Sequence, residues 1–279
     1  MPQDPRPEGA AVEAARLCAW LRGTLLPFWA GTGFDGRHGA FAEKFDADGR
    51  PAGGDETRAM VQARQIFTFC HAAGAGFGDA GLPAARRAFA FLEAQAWDRD
   101  AGGWFHRLTY GGRPLDRTKD CYDQAFLLLA MGALYRVDRD QRVLARAEET
   151  AGFLDRALGQ TRDGTFDGYA ERAVAPNAPL PLPRRQNPHM HLLEAFLELY
   201  EASGEARWLE RARAVLDLFR RHFFRDGQLV EFFDTDWSEV AHEGRRLREP
   251  GHFCEWAWLL HRYATLSGDD SPVAALRAL

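Results

Sequence analysis

Apolar residues recur at spacings of three and four along most of the chain, the pattern of amphipathic helices. The segments that carry it are 10–26, then the pairs 56–74 with 83–96, 118–136 with 140–158, and 187–203 with 206–223, and finally 250–267 with a last one opening near Ser271. On 206–223 the residues Trp208, Ala212, Val215 and Phe219 form one stripe, so a single face meets the core. Between the pairs, Asp and Gly are followed each time by aromatics: Phe34-Asp35-Gly36 leads to Phe41, Asp98 to Trp104-Phe105, Asp163-Gly164 to Phe166 and Tyr169, and Asp226-Gly227 to Phe232-Phe233. Asp35, Asp100, Asp163 and Asp226 are separated by 65, 63 and 63 residues. This spacing predicts a repeated unit, a helical hairpin joined by a long connection that begins with a tight turn or short β-hairpin. Asn187 before Pro188 reads as a helix N-cap, and Gly204 as a helix end.

Composition sharpens the fold class to all-α. Ile66 is the sole isoleucine and there are nine valines among 279 residues, too few for the interior of a parallel sheet. The net charge of −5 is spread along the chain, only Lys44 and Lys119 are lysines, and no basic stripe suggests nucleic acid as a partner. No apolar run approaches the ~20 residues a membrane span needs, and Met1 to Gly9 carries three prolines where a signal peptide needs an apolar segment. A soluble cytoplasmic protein is expected. Cys18, Cys70, Cys121 and Cys254 have no metal-type or disulfide-type spacing and read as free thiols, most of them buried.

Repeated helical hairpins form an open solenoid or close into a toroid. Polar residues recur near the start of the first helix of each pair: Gln62 and Arg64; Tyr122, Asp123 and Gln124; Asn187, His189 and His191; His252 and Glu255. In a toroid these positions converge on one cavity, which favours closure; in a solenoid they would line a concave face. Asn187 with His191, and His252 with Glu255, each share a helix face, whereas His189 and His191 diverge by ~200° and only His191 lies with Asn187. Such a pocket suits proton transfer on a carbohydrate. Histidine exchanges protons near neutral pH, a carboxylate such as Glu255 orients it, and Arg64 meets a developing oxyanion. Trp104, Phe105, Phe232 and Trp256 are candidates to pack on sugar faces. Each residue also has a purely structural reading: Asn187 as a cap, His252 as a residue of a helix start after Pro250-Gly251, Arg64 with Asp123 as a buried ion pair. His38, His71, His106, His222, His242 and His261 read as surface or core histidines.

The stretches Gln62-Ala63-Arg64-Gln65, Asp120-Cys121-Tyr122-Asp123-Gln124-Ala125-Phe126, Gln186-Asn187-Pro188-His189-Met190-His191-Leu192-Leu193-Glu194-Ala195 and Glu249-Pro250-Gly251-His252-Phe253-Cys254-Glu255-Trp256-Ala257-Trp258-Leu259-Leu260 resemble motifs of the N-acylglucosamine 2-epimerase family, which includes mannose isomerases and cellobiose 2-epimerases. The resemblance runs from about residue 12 onward. It implies an (α/α)6 barrel, a metal-independent reaction through an enediol or enediolate with histidines as acid and base, sugar contacts from Arg64, Asn187, His191, His252 and Glu255, and His252 as a catalytic histidine. The recurrence of polar positions adds His191 as the second catalytic candidate and Tyr122 and Asp123 as further substrate contacts, with no cofactor. The family's second catalytic histidine, in the C-terminal part of the barrel, has no match after Glu255, and His261 lies on the wrong stretch. Six units of the observed length need roughly 380 residues, whereas 279 hold about four and a half. The chain is therefore expected to form one domain that is incomplete at its C-terminus, with apolar surface on helix 10–26 at Leu17, Trp20, Leu21 and Leu25, or to be covered by another chain, as in a homodimer.

The expected function is sugar aldose–ketose isomerisation of the mannose isomerase type, on a monosaccharide or small oligosaccharide. A 2-epimerase shares its first half-reaction. Two further readings stay open: a glycoside hydrolase using Asp123 and Glu255, and a carbohydrate-binding protein on the same scaffold.

Overall fold

The computed structural model describes residues 8–174, 178–179 and 183–272. The helices follow the apolar periodicity. Helix α1 (Glu8–Trp20) runs through a π-helical turn, Leu21–Leu25, into the short α2 (Leu26–Ala30). Three hairpins follow: α3 (Ala59–Gly74) with α4 (Leu82–Gln95), α5 (Cys121–Asp138) with α6 (Gln141–Phe153), and α7 (Gln186–Ser203) with α8 (Ala206–Leu218). Helix α9 (Pro250–Ser267) comes last. π-Helical turns at Leu154–Leu158 and Phe219–Phe223 extend α6 and α8 to about the ends the periodicity predicts. The segment expected to begin near Ser271 lies outside the described residues beyond Pro272.

Helices α3, α5, α7 and α9 pack side by side in that order, and α4, α6 and α8 each pack behind their own partner. The middle of the inner row is dry: in α5 everything from Asp123 to Tyr135 is buried, and in α7 Met190 to Leu193 and Ala195 to Leu199 are. Gly132 sets the spacing between these two helices, because a Cβ there would lie 2.9 Å from Glu198 Cγ and 3.2 Å from the Leu199 nitrogen. Toward the C-terminal ends of the inner helices the buried Glu198 accepts from Arg136 of α5 and from Arg262 of α9, each at 2.7 Å, so one carboxylate ties three helices. At the rim, Leu17 and Trp20 of α1 and Trp258 of α9 are about half exposed, while Leu21 and Leu25 are partly covered.

The connections carry short antiparallel strands, so the chain is mostly rather than purely helical. Two of the Asp-Gly elements are two-residue hairpin turns. Asp163-Gly164 joins Arg162 to Thr165 and Asp226-Gly227 joins Arg225 to Gln228, with φ positive at both central residues of each, the geometry for which Asp-Gly is favoured. Asp35 opens a longer hairpin that pairs with Ala40, and Asp100 lies in a loop closed by the Trp97–Trp104 bridge.

Each connection also braces the inner helix of the preceding unit. Residues 107–108 pair with 57–58, 172–173 with 119–120, and 232–233 with 184–185. The carbonyls of His106, Glu171 and Glu231 accept from Ala59, Cys121 and Gln186, the first N–H groups of α3, α5 and α7. Those donors would otherwise be orphaned. This explains one departure from the sequence reading: a strand runs straight into α7, Arg185 occupies the cap position, and Asn187 sits inside the first turn. Gly204 ends α7 as expected, with φ +76 and its N–H on the Tyr200 carbonyl. All four cysteines are free; Cys70 and Cys121 are buried, Cys18 is partly covered, and Cys254 is exposed.

Candidate active site

The polar residues that recur at the inner helix starts divide into two sets. One set clamps the connections. Gln62, wholly buried, accepts from the Phe41 N–H and donates to its carbonyl, both at 2.7 Å. Gln124 grips Trp104 the same way, at 2.9 and 3.0 Å. In the third unit His189 takes this place: Tyr169 N–H donates to Nε2 at 3.0 Å, so the ring proton resides on Nδ1 and points to the Arg185 carbonyl at 3.0 Å. Gly168, with φ +89, turns the strand so that this N–H reaches the ring, and a Cβ there would strike Trp237 and His189. Burial pushes the His189 pKa down to about 4, which keeps the ring neutral. The divergence of His189 from His191 thus has a structural basis.

The second set is grouped around the Tyr122 and Phe126 rings of α5 and the start of α9. Arg64 of α3 is exposed and stacks over the Phe126 ring at 4.8 Å. Tyr122 of α5 meets the His191 ring edge-on at 5.1 Å, and His191 lies 4.5 Å from Phe126. Burial raises the Tyr122 pKa, offsetting the lowering by the Arg64 guanidinium beside it, and the negative charge of Glu255 in α9 adds to the rise. His191 binds the Glu194 carboxylate through Nδ1 at 3.0 Å, which leaves Nε2 for other work. Asn187 is partly exposed, yet its Oδ1 is buried and has no hydrogen-bond partner. Glu255 is exposed, and its carboxylate is not the one that holds His252.

That role falls to Glu231, which the sequence reading did not single out. His252 Nδ1 lies 2.9 Å from Glu231 Oε2, and the His252 side chain is 14% exposed against 3% for Glu231. Gln186 donates to the same oxygen at 2.8 Å, and Trp256 Nε1 donates to Gln186 Oε1 at 2.6 Å, which fixes the direction of the amide. The bond to Glu231 raises the His252 pKa more than partial burial lowers it. The signal for Glu231 was present in the repeat. Glu43, His106, Glu171 and Glu231 follow one another at 63, 65 and 60 residues. Each comes directly after a residue whose N–H bonds back across its connection: Ala42 to Gly33, Phe105 to Ala96, Ala170 to Leu158 and Val230 to Phe223. Each also binds the start of an inner helix. Glu43 holds Arg58, His106 holds Asp123, Glu171 holds Arg185, and Glu231 holds His252.

Asp123 does not face a sugar site as the sequence reading proposed. It is 3% exposed and bonds His106 Nδ1 at 2.6 Å, an attachment that raises the His106 pKa. His106 is therefore neither a plain surface nor a plain core residue, and the suggested Arg64–Asp123 ion pair is replaced by two separate contacts. Trp104 and Trp256 are wholly buried, Phe105 nearly so, and Phe232 is covered on one face by His242 at 4.3 Å, so Phe232 alone of these aromatics retains appreciable open surface. Among the described residues no three His, Cys, Asp or Glu side chains gather as a metal site would require, and no helix is long and apolar enough to cross a membrane.

Residues 39–278 match the family model for N-acylglucosamine 2-epimerase. The chain belongs to the N-acylglucosamine 2-epimerase family. It is 34% identical to a mannose-6-phosphate isomerase of Rhizobium meliloti over 96% of this chain and 68% of that one. It is 26% identical to a cellobiose 2-epimerase of Ruminococcus albus, over 88% of this chain and 64% of the relative. The solved cellobiose 2-epimerase of Spirochaeta thermophila superposes with a TM-score of 0.85 at 29% identity, over 96% of this chain and 67% of that one. The chain thus spans about two thirds of the length of these relatives.

Proposed function

We propose that the protein is a sugar aldose–ketose isomerase that interconverts mannose and fructose through an enediolate, on an (α/α)6 toroid to which this chain contributes one domain. The observation that carries this reading is His252, tied at Nδ1 to Glu231 and so left with Nε2 as its basic nitrogen, in the first turn of α9 just as Arg64, Tyr122, Asn187 and His191 lie near the starts of α3, α5 and α7. In this reading His252 removes the proton from C2 of the aldose and delivers it to C1. His191 carries the hydroxyl proton from O2 to O1, Arg64 stabilises the negative oxygen between the two transfers, and Asn187, Tyr122 and Glu255 hold the sugar hydroxyls. A 2-epimerase would return the proton to the opposite face of C2. Hydrolysis is less well supported because one of its two carboxylates, Asp123, is buried against His106.

Incubation with mannose in deuterated water, followed by NMR, tests this. The expected product is fructose with deuterium at C1. Deuterium at C2 of an epimer without ketose would replace isomerisation by epimerisation, and disaccharide cleavage or binding without exchange would overturn both. Arg64 is the arginine this reading assigns to the substrate, while Arg185 is committed to Glu171, so mannose is expected to be turned over in preference to mannose 6-phosphate.

The two neighbouring histidines should separate cleanly. His191→Ala is expected to raise KM and lower kcat. His189→Ala should leave the turnover of the folded enzyme near wild type but cost about 1–3 kcal/mol of stability, because the Tyr169 N–H loses a buried acceptor. Equal kinetic damage from both would show that the helix faces are misassigned.

A further inference from the structure

We infer that Glu231 is the positioning residue for His252: its carboxylate fixes the ring in the Nδ1–H tautomer and so makes Nε2 the nitrogen that exchanges the substrate proton. This rests on the isomerase reading for the identity of the reaction, but the pairing itself stands on geometry. A carboxylate accepts and cannot donate, so the 2.9 Å contact places a proton on Nδ1. Gln186 cannot offer an acceptor there, because its oxygen is taken by Trp256 Nε1 and its nitrogen already donates to Glu231. That nitrogen also lies 3.0 Å from His252 Nδ1, but its second N–H would donate there only to an unprotonated Nδ1, whose lone pair would then face the Glu231 carboxylate 2.9 Å away. Nε2 is left 3.5 Å from the half-exposed Glu249 carboxylate, beyond ordinary hydrogen-bond range.

The repeat gives the pair its origin. At the same point in the first and third units a glutamate holds an arginine by both its backbone N–H and its Nε, the partly buried Glu43 with Arg58 and the buried Glu171 with Arg185. These guanidinium groups brace a helix start. In the fourth unit the carboxylate meets an imidazole instead, so the same brace acts on a group that titrates near neutrality. The charged groups around that imidazole are Glu231 from the connection, Glu249 from the helix cap and Glu255 from α9 itself. α7 presents the neutral Gln186. All three charges favour the imidazolium, and Glu231 contributes most.

Nitrogen-15 NMR of His252 in the full chain tests the pairing without requiring turnover. In wild type the neutral ring is expected as the Nδ1–H tautomer. In Glu231→Gln its pKa should fall by about one unit, since a carboxylate that stabilised the cation is gone. The rising limb of kcat/KM against pH should move to lower pH by the same amount, while the plateau falls about ten- to a hundredfold with KM little changed. Glu231→Asp, which keeps the charge, should recover part of the pKa. A wild-type ring protonated on Nε2, or an unaltered His252 pKa in folded Glu231→Gln, would overturn the inference. An inactive wild-type protein with the expected tautomer would overturn the isomerase reading alone.

Discussion

His252→Ala is expected to lower kcat for mannose isomerisation at least a hundredfold and to leave the circular dichroism of the helices unchanged. The magnitude follows from general acid–base catalysis, in which removing the group that moves the proton costs about 10²- to 10⁴-fold. The preserved fold follows from where the ring sits. His252 is in the first turn of α9, and that turn is anchored below it by Trp256, which is fully buried and bonded to Gln186. Gln186 would still donate to the Glu231 carboxylate that alanine leaves behind. Glu255→Gln, by contrast, should act mainly through KM if, as proposed, its exposed carboxylate meets substrate hydroxyls, since it does not hold His252. If the His252→Ala protein keeps more than a tenth of wild-type kcat, the proton is carried by another group.

The helices were legible because each obeys a local rule that its neighbours do not disturb. Apolar positions at spacings of three and four located α3 to α9 to within about three residues once the π-helical turns that extend α6 and α8 are counted, and Asp-Gly pairs gave two hairpin turns. What resisted reading was the partner of each polar side chain. Periodicity places Asp123 and His252 at helix starts, but it does not say that connections fold back over those starts, and that is what delivers His106 to one and Glu231 to the other. Asn187 failed as a cap for the same reason: the first N–H of α7 is satisfied by the Glu231 carbonyl, and the cap falls on Arg185, two residues earlier. Glu255 was the natural carboxylate for His252 on helix spacing alone. The actual partner comes from the preceding connection and becomes visible only when the repeat is aligned on the residue that follows each back-bonded strand position.

Gln124→Leu should destabilise the protein by about 2–5 kcal/mol, a loss comparable with that from a large core cavity and unexpected for a polar residue at a helix start. Read as a sequence, Gln62 and Gln124 belong with the polar residues that face the cavity. In the structure Gln124 is fully buried and satisfies both backbone groups of Trp104, whose indole is itself buried and donates to Thr150. Leucine is close to glutamine in volume, so packing survives, but the Trp104 N–H and carbonyl would be left in a dry interior. Each unsatisfied buried group costs about 1–3 kcal/mol, and two are created together. The effect should extend beyond the connection, because the same strand supplies the His106 carbonyl that caps α3 and the His106 ring that holds Asp123. Urea unfolding of the wild type and of Gln124→Leu would show it as a lower midpoint with little change in slope, and a lowered slope would signal a more open native state. Gln124→Glu keeps the acceptor for Trp104 N–H but faces the Trp104 carbonyl with an oxygen in place of a donor. It should also be destabilised, and most strongly at neutral pH, where the buried carboxylate must either stay charged or take up a proton. A Gln124→Leu protein within 0.5 kcal/mol of wild type would mean that Trp104 finds other partners and that the clamp is not what holds the connection to its helix.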